Sequence, residues 1–182
     1  VSAANGSIEP WAWRQGVRFG VGLCVALVVA LIDLRFWLRW AYLIYGGALL
    51  LLLGVELMGT IGMGAQRWID LGLFRLQPSE VMKVAMVLAL ARYFHSRGAE
   101  EMRRPMVLAP PLALIGLPAG LVLLQPDLGT AMLLLLAAAT LLMVAGVRWW
   151  MLGSLLALAA AAAPLAWQFL HDYQRRRLLT FL

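Results

Sequence analysis

The chain is poor in most of what a soluble domain uses. Of its 182 residues, 13% are charged and 63% are hydrophobic. Soluble domains have about a quarter of their residues charged and about half apolar. There is one cysteine, Cys24, which excludes a disulfide framework and a cysteine zinc site. It lies in an apolar run and reads as a small buried hydrophobe. Lysine is nearly absent: Lys83 is the one lysine among fifteen basic residues, the rest being arginine. No phosphate-binding glycine loop, dinucleotide fingerprint or nucleophile elbow occurs. The opening VSAANGSIEP lacks the basic region and apolar core of a cleavable signal. A start without methionine and a stop on the apolar end of HDYQRRRLLTFL are what a piece of a longer protein would have.

What the chain does have is apolar runs close to the roughly 20 residues that a helix needs to cross a bilayer. They fall at about 17–33, 41–59, 79–94, 105–124, 128–146 and 149–170. The expected fold is therefore all-α: a polytopic membrane helix bundle of about six transmembrane helices, with residues 1–182 forming a single, partial membrane domain. Pro164, in an alanine-rich run, should kink or break the last helix. The segment TIGMGAQRWIDLGLFRLQ is too polar to span and too apolar to float free. Trp68 and Phe74 place it along the headgroup zone.

The net charge of +6 raises the question of nucleic acid, but the arginines are scattered between apolar runs instead of forming one patch. Lipid headgroups and an anionic substrate fit them better. Six spans sort them into two equal groups. Arg35, Arg39, Arg92, Arg97, Arg103, Arg104 and Arg148 lie on one side. Arg14, Arg18, Arg67, Arg75 and Arg175 to Arg177 lie on the other. Counting only the loops between spans favours the first group as cytoplasmic.

An acid in such a chain needs a reason, because an ionised carboxylate in hydrocarbon costs about 2.5–3.5 kcal/mol. QPSEVMK opens the third span and QPDLGT the fifth. In each, proline suits the first helical turn, and an acid, Glu80 or Asp127, follows where the helix dipole favours negative charge. Asp127 could simply cap its helix or line a polar cavity. Glu80 and Lys83, three residues apart, share a helix face and can pair. The pair is a structural salt bridge or part of a wet cavity, and breaking it if buried would cost about 3–5 kcal/mol. Alternation of the spans puts both helix starts on the outer side. Arg67, Arg75, Arg175, Arg176 and Arg177 lie there too, and helix starts with arginines suit a phosphate or pyrophosphate. Headgroup contact is the plainer role for each arginine alone. Glu56 snorkels, caps a neighbour or joins the cavity. His95 and His171 sit at span ends with no metal-ligand spacing, and no metal site is expected.

Four motifs in order, GAQRWIDLG, RLQPSEVMK, QPDLGTA and HDYQRRR, resemble the SEDS family (shape, elongation, division and sporulation). The likeness runs from about Arg14 to the end, and is nearer to the rod-shape branch than to the division branch. The resemblance implies a ten-helix membrane protein of the bacterial inner membrane that polymerises lipid II into glycan strands beside a class B penicillin-binding protein. This chain would be its second to seventh helices. Arg75, Gln77, Glu80, Lys83, Gln125 and Asp127 would line the central substrate cavity. The family's proposed catalytic aspartate would lie beyond Leu182, so the chain alone is expected to be inactive. Arginines, helix ends or a divalent cation would balance the departing pyrophosphate. A transporter of the lipid-linked precursor and a non-catalytic scaffold for the penicillin-binding protein are the competing readings.

Overall fold

A computed structural model describes residues 11–58, 60–62, 65–70, 75–98, 101, 104–125 and 127–169. The chain divides into two units, Val1–Trp37 and Leu38–Leu182. The first holds helix α1 (Trp11–Leu31) and the first turn of α2 (Leu34–Met58). Asp33 separates the two helices and starts the second, its Oδ1 accepting the Arg35 N–H at 2.8 Å as an N-cap would. The described side chains of α1 are all exposed, Cys24 included. The expectation of a buried thiol is thus corrected: among the described residues of this unit, none covers the helix.

The second unit runs from the rest of α2 through a small sheet to four more helices. Strands β1 (Thr60–Gly62), β2 (Ala65–Asp70) and β3 (Arg75–Leu76) form an antiparallel meander in the order β1-β2-β3. Thr60 faces Trp68, and Asp70 faces Arg75. The fold class is all-α as expected, and the sheet occupies the segment read as interfacial. Helices α3 (Pro78–His95), α4 (Ala109–Leu124), α5 (Leu128–Val144) and α6 (Trp149–Phe169) follow, with a 3₁₀ turn at Pro105–Leu108. Helix α6 continues through Pro164 without a break. Leu34–Val55 and Pro105–Leu124 are long and apolar enough to cross a membrane, and Leu128–Val144 is a shorter apolar helix.

The core lies between α2, α3, α4 and α5. Met82, Ala85, Met86, Ala89 and Leu90 of α3 meet Ala131, Leu134 and Ala138 of α5, with Leu52 from α2 and Val122 from α4. The alanines let the backbones approach, the usual basis of helix association where lipid removes the hydrophobic drive. Helix α5 ends in a Schellman motif: Val147 N–H donates to Leu142 O and Gly146 N–H to Met143 O, both at 3.1 Å, with Gly146 at φ 80°.

Helix α4 starts with prolines at 110 and 111 and has Pro118 inside it. Pro111 and Pro118 lack an N–H and each leaves the carbonyl four residues back without that donor, whereas Met106 O, four before Pro110, accepts from Ala109 N–H. Two tyrosines from other helices supply the missing bonds. Tyr45 of α2 donates to Leu114 O, four residues before Pro118, at 3.0 Å. Tyr93 of α3 donates to Val107 O, four residues before Pro111, at 2.8 Å. In a bilayer interior a carbonyl has no water to turn to, so such substitutes are how prolines are tolerated there.

These bonds fix the helix directions. Tyr93, near the end of α3, meets the start of α4, so α3 and α4 are antiparallel. Tyr45 and Leu52 of α2 bond, in the same order, to Leu114 and Gln125 of α4, so α2 and α4 run together. The starts of α3 and α5 therefore share one end of the bundle, as the alternation of spans requires.

Candidate functional site

Helix α3 begins at Gln77, whose extended backbone (φ −101°, ψ 106°) turns the chain out of β3. Pro78 fills the first helical position at no cost in hydrogen bonding. Glu80 N–H closes the first turn on Gln77 O at 3.0 Å. The Lys83 Nζ lies 2.9 Å from Glu80 Oε1, with the lysine side chain 24% exposed and the glutamate 57%. The pair is real and local. It is also half open: Ser79, Met82 and Met86 occupy the inward face, so residues 80 and 83 point elsewhere.

At the start of α5 the chain makes a tight passage. Gln125 N–H donates to Leu121 O and Asp127 N–H to Val122 O, both at 3.2 Å, which ends α4. The Gln125 side chain is buried and its Nε2 donates to Leu52 O at 3.0 Å, pinning the α4–α5 junction to α2. Asp127 is 9% exposed and caps α5. Its Oδ1 accepts from Thr130 N–H at 3.3 Å and its Oδ2 from Thr130 Oγ1 at 2.9 Å. Both oxygens act as acceptors, the arrangement of a carboxylate that caps a helix start. The capping role left open by the sequence is therefore filled.

The two helix starts are brought to one end, with α3 packed on α5 and β2 packed on α3. Arg67 lies in β2 and Arg75 in β3, which leads directly into Gln77. Arg175, Arg176 and Arg177 fall outside the described residues, as does His171. Among the described residues, Glu80 pairs with Lys83 and Asp127 bonds to Thr130. Thr130 and Tyr45 are the participants that the sequence reading missed. An Asp-x-x-Thr spacing at a helix start is a capping signal and could have pointed to Thr130. A tyrosine serving a distant proline has no local signature.

The bundle, with polar side chains gathered where two apolar helices begin, defines a polytopic helical membrane protein. The chain belongs to the FtsW/RodA/SpoVE family of cell cycle proteins, matching it over residues 3–182. It is 39% identical over 170 residues to the peptidoglycan glycosyltransferase MrdB of Escherichia coli strain K12, covering 93% of this chain and 45% of that protein. The chain thus spans about half the length of the curated relatives it matches. Among solved structures it is similar to a chain of a peptidoglycan synthase complex that coordinates polymerization and crosslinking. The TM-score is 0.80 and the identity 36%, covering 94% of this chain and 51% of that one. It also matches the rod shape determining protein RodA of Thermus thermophilus, with TM-score 0.70 and 37% identity, covering 82% of this chain and 49% of that one.

Proposed function

We propose that this chain belongs to a peptidoglycan glycosyltransferase that polymerises lipid II during cell elongation and rod-shape maintenance. One observation carries the reading. In a family whose relatives are named peptidoglycan glycosyltransferases, two proline-flanked helix starts, each with an acid, meet at one end of the bundle. The setting is the bacterial inner membrane, residues 1–182 form part of one membrane domain, and a class B penicillin-binding protein is the partner that adds cross-links.

In the reaction, the 4-hydroxyl of one sugar attacks the anomeric carbon of a lipid-linked sugar. The bond from that carbon to the pyrophosphate oxygen breaks, undecaprenyl pyrophosphate leaves, and the hydroxyl proton passes to a base. Arg75, Gln77, Glu80, Lys83, Gln125 and Asp127 are assigned to the substrate end. Lys83, half-exposed, offers an ammonium to the phosphates, and Glu80 at 2.9 Å holds it in place. Arg67 and Arg175 to Arg177 add charge for the leaving group, which a divalent cation could share. Asp127, with both oxygens occupied by Thr130, is assigned to shaping the α5 start and not to taking the proton.

The test uses a protein carrying this chain at the length of its relatives, purified and given lipid II. Wild type should form glycan, and Glu80→Gln and folded Asp127→Asn should slow it by about 10²-fold or more, as for loss of a preorganised electrostatic contact. Full-rate polymer from both variants would remove these acids from the mechanism. Movement of lipid II across the bilayer without polymer would favour a transporter.

A further inference from the structure

Helix α4 has a feature that neither its packing nor the proposed chemistry uses. Gly116, Pro118 and Gly120 alternate in its middle. Each glycine disfavours a helix about fivefold against alanine. In membrane bundles glycine commonly lets two backbones approach closely. That reason is absent among the described residues, because a Cβ at Gly116 or Gly120 would meet nothing within 4 Å. Both glycines are exposed, off the buried face made by Ile115, Pro118, Ala119 and Val122. Their role therefore lies in the backbone.

Pro118 removes the helical bond to Leu114 O, and a glycine on either side loosens the turns around that gap. Helices bend at such places. In a bilayer, bending is opposed when it strands a carbonyl away from any donor. Here it strands none at Leu114, whose oxygen is served by Tyr45 of α2 at 3.0 Å whatever the helix does beyond residue 118. The part beyond the bend, residues 119–124, is tied to α2 at its far end by Gln125 Nε2, which donates to Leu52 O at 3.0 Å. Asp127 N–H donates to Val122 O at 3.2 Å, so the start of α5 travels with this arm. Beside the tie, Leu53 of α2 and Leu123 and Leu124 of α4 are exposed. A gap between α2 and the arm thus opens sideways, at the end where the two acid-bearing helices start.

We propose that α4 is a hinged helix: it bends at Gly116–Gly120, Gln125 is its latch on α2, and release opens a side entrance for a lipid-linked substrate. The entrance rests on the reaction proposed above; the hinge and latch do not. A long lipid chain stays in hydrocarbon, so its sugar end has to arrive from the side.

Spin labels read the hinge by pulsed electron resonance, in a protein carrying this chain at the length of its relatives with its cysteines replaced by serine. One pair, at Leu53 and Leu124, spans the latch, and a reference pair, at Leu43 and Leu112, spans the fixed end; all four positions are exposed. The latch pair should give two distances and the reference pair one. Gly116→Ala with Gly120→Ala should lower the longer-distance fraction by about tenfold or more, and Gln125→Leu should raise it. A single distance at the latch pair in both wild type and Gln125→Leu would overturn the hinge. Two distances at both pairs would also overturn it, since α2 would then be moving as a whole. For the entrance, the double alanine variant should slow polymerisation of lipid II about tenfold and leave a short-chain, water-soluble analogue at the wild-type rate. Equal slowing of both substrates, or of neither, would overturn the entrance. No polymer from wild type with either substrate would overturn the entrance together with the reaction, while the label distances decide the hinge.

Discussion

Replacing Tyr45 by phenylalanine removes one oxygen atom and leaves the ring. The structure makes the consequence specific, because that hydroxyl donates to Leu114 O at 3.0 Å and Pro118 cannot. A buried carbonyl stripped of its donor costs about 1–3 kcal/mol in water-soluble proteins. Interhelical hydrogen bonds in membranes average about 0.6 kcal/mol and reach about 1.7. Leu114 has no alternative donor from its own helix at that position, so a loss of about 1–2 kcal/mol is expected, toward the upper part of the membrane range. Unfolding in mixed micelles by increasing ionic detergent would measure it. The decisive comparison is a double-mutant cycle with Pro118→Ala, which restores the amide that reaches Leu114 O. In that background Tyr45→Phe should cost close to nothing, a coupling of about 1 kcal/mol. Any packing change from trimming Pro118 cancels in the cycle. Equal costs in both backgrounds would refute the argument that the tyrosine serves the proline.

Four further outcomes follow from the same reasoning. Tyr93→Phe should lose about 1–2 kcal/mol for want of the bond to Val107 O, and Pro111→Ala should relieve it, read by the same detergent titration. Thr130→Val should destabilise by about 1 kcal/mol through loss of the Oγ1 bond to Asp127, whereas Thr130→Ser should keep most of the stability; equal thermal midpoints for the two would deny the clamp. Gln125→Leu should cost about 1 kcal/mol and speed hydrogen exchange at the α4–α5 junction, where its amide now holds Leu52 O. Lys83→Met should change stability by under about 1 kcal/mol, because a pair with its glutamate 57% exposed behaves as a surface ion pair. A loss above about 3 kcal/mol would return the pair to the interior.

Much of the architecture is legible because a bilayer demands long apolar runs. All six spans became helices, and the discrepancies lie at their edges. Helix α1 starts at Trp11 and α2 at Leu34, several residues before the expected 17 and 41, because amphipathic flanks such as LRFWLRW continue a helix without adding to an apolar count. The sheet at 60–76 escaped notice: its strands are two to six residues long, too short for a period-two pattern to stand out. At the candidate site, the QP-acid motifs marked the two helix starts, and the i, i+3 spacing of Glu80 and Lys83 predicted their pairing. Their degree of burial was not legible, since it depends on which face of α3 meets α5. The Gln125 contact was out of reach for the same reason, its partner lying 73 residues away in α2.

The placement of the two tyrosines also bears on assembly. Each precedes in the chain the proline it serves: Tyr45 comes before Pro118, and Tyr93 before Pro111. As the ribosome delivers the protein from its amino end, the donors on α2 and α3 are already in place when the amide-poor fourth helix emerges. A circular permutant that released α4 first would expose those carbonyls to lipid before any hydroxyl could reach them, and should insert poorly even though every final contact remained available.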